Sequence, residues 1–309
     1  MHLLFVTNSA YVPHVATTLA SVFENNKDMS FCVHVLATDI TSDDEFKLKN
    51  FIEFYNNEFD LRVVGQNNLD INIDLCGKWG IYPSLKLYAS DFFPELDSML
   101  YMDADMICLG SLHPIEEIDM RDYYIAMSPD EARSISHKHR LGLNANDFYG
   151  CAGLVWLNLK KWRKEGIRQK CINYFNAPEN KDKILMGEQD VLNVVCNNHI
   201  YKLPIEYNMF SYYWLHHGRN IPEEYRETIN MHKRNAVIIH YIDACKPWFE
   251  DCLFPHAKYY WLYQAFTPWK GKQYGYSTEY SGKMTWIKTY IKVFLHNIGI
   301  ISFDYAYDK

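Results

Sequence analysis

The sequence predicts an α/β protein with a mixed, mainly parallel sheet flanked by helices and a C-terminal helical extension. Three observations carry this. Short apolar runs alternate with segments of helical periodicity through the first half of the chain. The 309 residues, 48% hydrophobic and 22% charged, suffice for one large globular core. From His256 onward the composition turns to Tyr, Trp and Lys. The boundary is therefore drawn between a core of residues 1–255 and an aromatic, basic helical region of residues 256–309.

Residues 2–7 are an apolar run closed by Asn8 and Ser9, and predict the first strand. Val12, Val15, Ala16, Leu19, Ala20 and Phe23 then recur at the spacing of one helix face. Residues 31–37 read as a second strand, 43–55 as a polar-faced helix capped by Ser42, and 61–64 as a third strand. Residues 83–92 read as a helix, 99–102 as the next strand, and 123–127 and 154–158 as later strands. Such alternation places helices on both faces of the sheet. Ligands then bind beyond the carboxyl ends of the strands, where strand order switches.

Several function classes are excluded. A net charge of −7 removes the basic footprint of a nucleic-acid binder. None of the eight cysteines forms a C-x-x-C pair, so they read as buried free thiols of a reducing compartment. The N-terminal MHLLFVTNSA has no basic residue before its apolar run and reads as a strand, not a signal peptide. No apolar run is long enough to span a membrane, and the expected location is the cytoplasm. The dinucleotide, P-loop, zinc-protease and nucleophile-elbow motifs are all missing.

Three segments carry chemistry. In SMLYMDADMICLG an apolar strand runs into Asp103-Ala104-Asp105. Two carboxylates two residues apart at a strand end can turn toward one hard cation, which keeps positions open for phosphates. The bland alternative is a solvated turn. In AVIIHYIDACKPW a buried strand delivers His240, and Lys246 follows six residues later. An imidazole ligand shifts preference from Mg²⁺ toward Mn²⁺, and Lys246 suits a diphosphate. Alone, these residues read as a core histidine and a surface lysine. In MGEQDVLN a helix start presents Glu188, Gln189 and Asp190, suited to a sugar hydroxyl or to plain capping.

In this order and spacing the segments resemble glycosyltransferase family 8, the group of bacterial lipooligosaccharide galactosyltransferases, lipopolysaccharide glucosyltransferases and glycogenin. The likeness spans residues 2–255 and includes the strand-plus-Tyr11 start, LYMDAD, Asp130 after YYIAMS, AGLVWLNLKKW, EQDVLN and the HY…KPW ending. It implies a GT-A type, Rossmann-like fold and a UDP-galactose or UDP-glucose donor. It implies Mn²⁺, with Mg²⁺ the alternative, held by Asp103, Asp105 and His240, and transfer with retention. Thr7, Asn8 and Tyr11 are implied at the uridine, Met102 and Ala104 at uridine or ribose through their backbone, and Lys246 at the diphosphate. Asp130, Glu188 and Gln189 are implied around the donor sugar or acceptor. Four positions depart from the pattern: Asn8 for Asp, Ser84 for Arg, Cys151 for Asn, and Asp243 for Gly. Lys86 partly compensates for the lost arginine.

The expected reaction is same-face substitution, with a leaving phosphate oxygen taking the proton of a glycan or lipid-linked acceptor. Gln189 is an electrostatic stabiliser, because an amide oxygen is a poor nucleophile. Double displacement needs Glu188, Asp130 or Asp190 instead. Residues 283–303 carry Ile287, Tyr290, Ile291, Phe294 and Ile298 at helical spacing. Residues 270–296 hold five lysines and one acid, a net of +4, so peripheral contact with an anionic membrane is expected, against packing on the core or in a dimer. The competing functions are a non-catalytic or hydrolytic nucleotide-sugar or glycan binder, and a phosphatase using D-x-D. The phosphatase needs its acidic pair after the first strand, not at 103–105.

Overall fold

A computed structural model describes residues 1–65, 69–72, 76, 80–131, 134–214, 220–242, 246–250, 252–277, 287, 290–292, 294–295, 298 and 300–301. Its strands are β1 (His2–Thr7), β2 (Cys32–Ala37), β3 (Glu58–Val63), β4 (Met99–Met102), β5 (Met106–Cys108), β6 (Ile125–Pro129), β7 (Gly150–Leu157), β8 (Ile200–Lys202), β9 (Met209–Phe210) and β10 (Ile238–His240). Seven form the main sheet, in the order β3-β2-β1-β4-β7-β6-β8. β1 pairs in parallel with β2 and β4, β2 with β3, and β6 with β8. Only β7 runs antiparallel, to both β4 and β6. The sheet is mixed and mainly parallel, as the alternation predicts. A second sheet has the order β5-β10-β9.

The helices are α1 (Val12–Asn25), α2 (Ser42–Phe54), α3 (Ala89–Phe92), α4 (His113–Glu116), α5 (Ser134–Leu141), α6 (Leu159–Glu165), α7 (Ile167–Asn176), α8 (Glu188–Val195), α9 (Ile229–Arg234) and α10 (Ala257–Gln264). Alternate residues of each strand serve opposite faces. Leu3, Phe5, Val33 and Val35 join the α1 residues Val12, Val15, Ala16 and Leu19 in one apolar cluster. Leu4 and Leu36 join Trp162 of α6, Phe175 of α7 and Leu192 of α8 in the other. Each large side chain fully buried in this way contributes about 1.5–3 kcal/mol. α10 lies on α1: Tyr260 Oη is 2.7 Å from His14 Nδ1, and Asn25 Nδ2 donates to Tyr263 Oη over 2.7 Å.

Several local expectations need correction. The second helix is capped by Thr41, whose hydroxyl accepts from Asp44 N over 3.1 Å; Ser42 is its first residue. Residues 83–92 do not form one α-helix but a 3-10 turn, Tyr82–Tyr88, followed by the short α3. The strand expected at 154–158 spans Gly150–Leu157, and Gly150 leaves room for the Met127 and Phe148 side chains. A Cβ on Gly150 would lie 2.8 Å from Met127 Cβ. The cysteines described are free thiols, with Cys76, Cys108, Cys151, Cys171 and Cys196 buried; Cys245 lies outside the described residues. Within residues 283–303, Ile287, Tyr290, Ile291, Phe294 and Ile298 are exposed, and most of that segment lies outside the described residues. Among the described residues, no helix is long and apolar enough to cross a membrane.

Candidate active site

β4 delivers Met102 and then Asp103 beyond the carboxyl ends of the parallel strands. Asp103 N still donates to Gly153 O, over 2.8 Å, so the acidic turn leaves the sheet at a fixed point. Tyr101 precedes Asp103 by two residues, shares its side of the strand, and donates its hydroxyl to Asp103 Oδ1. Across the turn, Thr18 of α1 donates to Ala104 O over 3.0 Å and to Met106 O over 2.8 Å. The chain then returns as β5, antiparallel to β10, with Met106 opposite His240.

This pairing brings the distant histidine to the acids. Ligand atoms of Asp103, Asp105 and His240 all lie within 4.8 Å of one another. His240 Nε2 is 3.2 Å from Asp105 Oδ1 and 3.7 Å from Asp103 Oδ2. His240 Nδ1 donates to Asn208 Oδ1 over 2.9 Å, an assignment that turns the Nε2 lone pair toward the carboxylates. Gly153 lies against the cluster: a Cβ there would be 2.4 Å from His240 Cε1 and 2.9 Å from Asp103 Oδ2. Two oxygen donors, one imidazole of fixed tautomer and a floor without a side chain fit a divalent cation such as Mn²⁺.

The two carboxyls differ. Burial in the cleft raises the Asp103 pKa above the usual carboxylate range, opposed by Lys86. Burial also opposes ionisation of Asp105, but Lys246 and His240 outweigh it and hold that carboxyl well below its usual range. Lys246 Nζ donates to Asp105 Oδ2 and to Tyr241 O, each over 2.6 Å. Asp243, between His240 and Lys246, lies outside the described residues.

The third segment borders the same cleft. Gln189 Oε1 accepts from Ala152 N over 3.0 Å, and Gln189 Nε2 donates to Asp130 Oδ2 over 3.0 Å. Glu188 accepts from Lys86 Nζ over 2.9 Å. Lys86, only 1% exposed, also donates to Ala152 O over 2.7 Å and lies 3.9 Å from the Tyr101 ring centre. Asp190 is fully buried, bound by both terminal nitrogens of Arg140 at 3.0 Å and by the Tyr149 hydroxyl at 2.8 Å. It braces α8, with its oxygens committed to those donors. Cys151 is buried on β7, and burial beside Asp130 keeps its thiol protonated.

At the mouth, Thr7 ends β1, and Asn8 Oδ1 accepts from Tyr11 N over 3.1 Å. Tyr11 is 43% exposed and meets Trp248 edge-on at 5.9 Å. The structure thus gathers Asp103, Asp105, His240 and Lys246 at one point, and links Gln189, Glu188, Asp130 and Lys86 through hydrogen bonds. Sequence reasoning missed Thr18, Asn208 and Gly153. Gly153 stood in the family-like AGLVWL string; Thr18 and Asn208 carried no local signal.

The family model described as "Glycosyl transferase family 8" matches residues 2–252. The lipopolysaccharide 1,2-glucosyltransferase of Escherichia coli is 26% identical over 275 residues, covering 85% of this chain and 78% of that protein. The lipopolysaccharide 1,3-galactosyltransferase of Salmonella typhimurium is 25% identical, covering 82% and 74%. Among solved structures, galactosyltransferase LgtC, in complex with donor and acceptor sugar analogues, superposes with a TM-score of 0.72 at 20% identity, covering 88% of this chain and 99% of that one. The fold is of the GT-A type, whose glycosyltransferases generally use a divalent metal and a nucleotide sugar. With the match running across the acidic turn, the Gln189 helix and His240 alike, the chain belongs to glycosyl transferase family 8 and is a glycosyltransferase.

Proposed function

We propose that this chain transfers galactose or glucose from a UDP-sugar to a saccharide or lipid-linked saccharide of the lipopolysaccharide class, with retention at the anomeric carbon and with Mn²⁺, or Mg²⁺ in its place. The observation that carries the reading is the meeting of Asp103, Asp105 and His240 within 4.8 Å at the carboxyl ends of the strands. The printed functions of the relatives support the acceptor class.

In this reading Asp103, Asp105 and His240 hold the cation. A cation held there would supply positive charge to offset the negative charge developing on the departing diphosphate. Lys246 moves its ammonium from Asp105 to a phosphate oxygen. Thr7, Asn8 and Tyr11 receive the uracil, and the backbone of Met102 and Ala104 faces the ribose. Glu188 and Lys86 bind sugar hydroxyls as a charge-balanced pair, with Cys151 beside them. Gln189, held by Asp130 and Ala152, keeps its amide dipole fixed while positive charge builds at the anomeric carbon. Its amide is a weak nucleophile, which favours same-face substitution with the acceptor proton passing to the leaving phosphate.

The catalytic unit is residues 1–255, working in the cytoplasm, with residues 256–309 supplying peripheral membrane contact through 283–303. A panel of UDP-sugars with Mn²⁺, read by UDP release and thermal shift together, tests the activity. Turnover with one or two UDP-hexoses, lost in Asp103→Ala and Asp105→Ala, supports it. Thermal shift with no UDP release in the presence of acceptor oligosaccharides moves the chain to the alternative of a nucleotide-sugar binder. The four departures, Asn8, Ser84, Cys151 and Asp243, give that alternative its ground. Unchanged liposome sedimentation after deletion of 283–303 refutes the membrane contact.

A further inference from the structure

At the opposite end of the sheet, strand register assembles a second group of ligand-type side chains. In the parallel ladder His2 faces Cys32, Cys32 faces Glu58, and His34 faces Asp60. Alternation puts Cys32 and His34 on the same side of β2, with Glu58 and Asp60 beside them on β3. These residues open their strands, whereas Asp103 follows the carboxyl end of β4, so the length of the sheet separates the two clusters.

The contacts are those of an organised imidazole pair. His2 Nδ1 lies 3.0 Å from His34 Nε2, and His34 Nδ1 lies 3.0 Å from Asp60 Oδ2. Donation from Nδ1–H to Asp60 leaves the His34 Nε2 lone pair facing His2, the orientation a carboxylate imposes behind a metal-bound histidine. Asp60 is itself held by Arg62 at 3.1 Å, whose guanidinium lies 4.1 Å from the Phe93 ring centre. His34 meets the same ring edge-on at 4.6 Å. The His34 side chain is 5% exposed and fixed, while His2 and Cys32 are half-buried and open to an arriving ion.

Ligand atoms of His2, Cys32 and His34 all lie within 4.8 Å of one another. Tetrahedral Zn²⁺, with nitrogen at about 2.0–2.1 Å and sulfur at about 2.3 Å, sets its ligand atoms roughly 3.3–3.8 Å apart. Small side-chain adjustments at His2 and Cys32 close that difference. Glu58 faces Cys32 across the β2–β3 ladder, and the fourth position is open to water. A thiolate with two imidazoles selects Zn²⁺ over the hard ions Mn²⁺ and Mg²⁺. We propose that His2, Cys32 and His34 form a zinc site, separate from the donor site, that fastens the amino ends of β1 and β2. On binding, the thiol proton of Cys32 passes to solvent and the sulfur coordinates as thiolate, with no change of oxidation state.

The test uses the untagged full chain in reducing buffer, stripped with chelator and titrated with Co²⁺, then Zn²⁺. The expected result is a thiolate-to-cobalt charge-transfer band, displaced by one equivalent of Zn²⁺, with a rise in thermal midpoint. Cys32→Ser should abolish the band, and His2→Gln should weaken Co²⁺ binding at least tenfold. UDP release with Mn²⁺ should be unchanged in both. Should Cys32→Ser unfold, His2→Gln decides through the band alone. A native chain without the band, a band that survives in Cys32→Ser, or undiminished Co²⁺ affinity in His2→Gln overturns the zinc site and leaves a metal-free imidazole pair. The titration reads the same whether or not the chain releases UDP, so it stands or falls apart from the proposed reaction.

Discussion

Gly153 is where a single methyl group distinguishes a working acidic cluster from a merely folded one. Its added Cβ would lie 2.4 Å from His240 Cε1, 3.0 Å from His240 Nδ1 and 2.9 Å from Asp103 Oδ2. Carbon atoms rest at about 3.5–4.0 Å, so the imidazole has to retreat by roughly an ångström. It has little freedom to do so. His240 is 3% exposed, its Nδ1 is bound to Asn208 at 2.9 Å, and the Phe210 ring is edge-on at 5.8 Å. Overpacking of this kind costs about 1–3 kcal/mol of stability. An ångström of misplacement costs about 10²-fold in rate, or roughly 2.7 kcal/mol. Gly153→Ala should therefore lower the thermal midpoint by a few degrees, raise the Mn²⁺ concentration for half-maximal UDP release, and cut turnover about a hundredfold. Gly150→Ala is the control, since its Cβ would press at 2.8 Å on Met127 and Phe148 instead. It should cost similar stability and leave the metal response alone. Wild-type turnover and metal midpoint in Gly153→Ala would refute the assignment of the cluster.

Lys246→Gln should tighten Mn²⁺ binding in the absence of nucleotide, because it removes the ammonium 2.6 Å from Asp105, while lowering turnover with UDP-sugar; weaker Mn²⁺ binding by calorimetry contradicts this. Burial pushes the His14 imidazole down to about 3. The unfolded chain therefore binds the extra proton between about pH 6.5 and 3, and stability falls across that window as pH drops, by up to a few kcal/mol. His14→Phe should flatten that acid limb in denaturant titrations, and an unchanged slope counts against it. Asp190→Ala should cost about 3–5 kcal/mol in urea unfolding, since it strands the Arg140 guanidinium; a loss under 1 kcal/mol would show that the pair is dispensable.

The strands β1, β2, β4, β6, β7 and β10 were legible because each carries a short apolar run, and in β4 that run, MLYM, leads straight into Asp103. The short β5, β8 and β9 were not singled out, and β3 begins at Glu58, three residues before the expected 61–64, because its half-polar EFDLRV has no continuous apolar run. Residues 83–92 read as one helix because an apolar run with Pro83 at its start suits the first turn of an α-helix and of a 3-10 turn alike. The meeting of His240 with Asp103 and Asp105 was accessible only through the order of motifs. Nothing local to IIH says that β10 pairs antiparallel with β5 and sets His240 opposite Met106. Asn208 and Thr18 act through that same long-range pairing, so no nearby pattern marks them. The His2, Cys32 and His34 group was equally hidden. Those residues lie in two separate strands, and only the parallel register brings them together.

Two of the acids in the cleft are each paired with a lysine before any ligand arrives. Lys246 sits on Asp105 at 2.6 Å, and Lys86 sits on Glu188 at 2.9 Å. The two lysines differ in what they can give up. Lys86 is 1% exposed and anchored by Ala152 O and the Tyr101 ring, so its charge is a fixed part of the wall. The Lys246 side chain retains 18% exposure and is followed by Pro247 and Trp248, with one backbone oxygen and one carboxylate as its hydrogen-bond partners. In the proposed reaction a cation at Asp105 would displace that ammonium, and a diphosphate would give it a new partner within reach of the same side chain. Each ligand would then remove the obstacle to the other. On that proposal, an acidic turn guarded by a lysine that can leave it would favour a metal–diphosphate pair over either component alone.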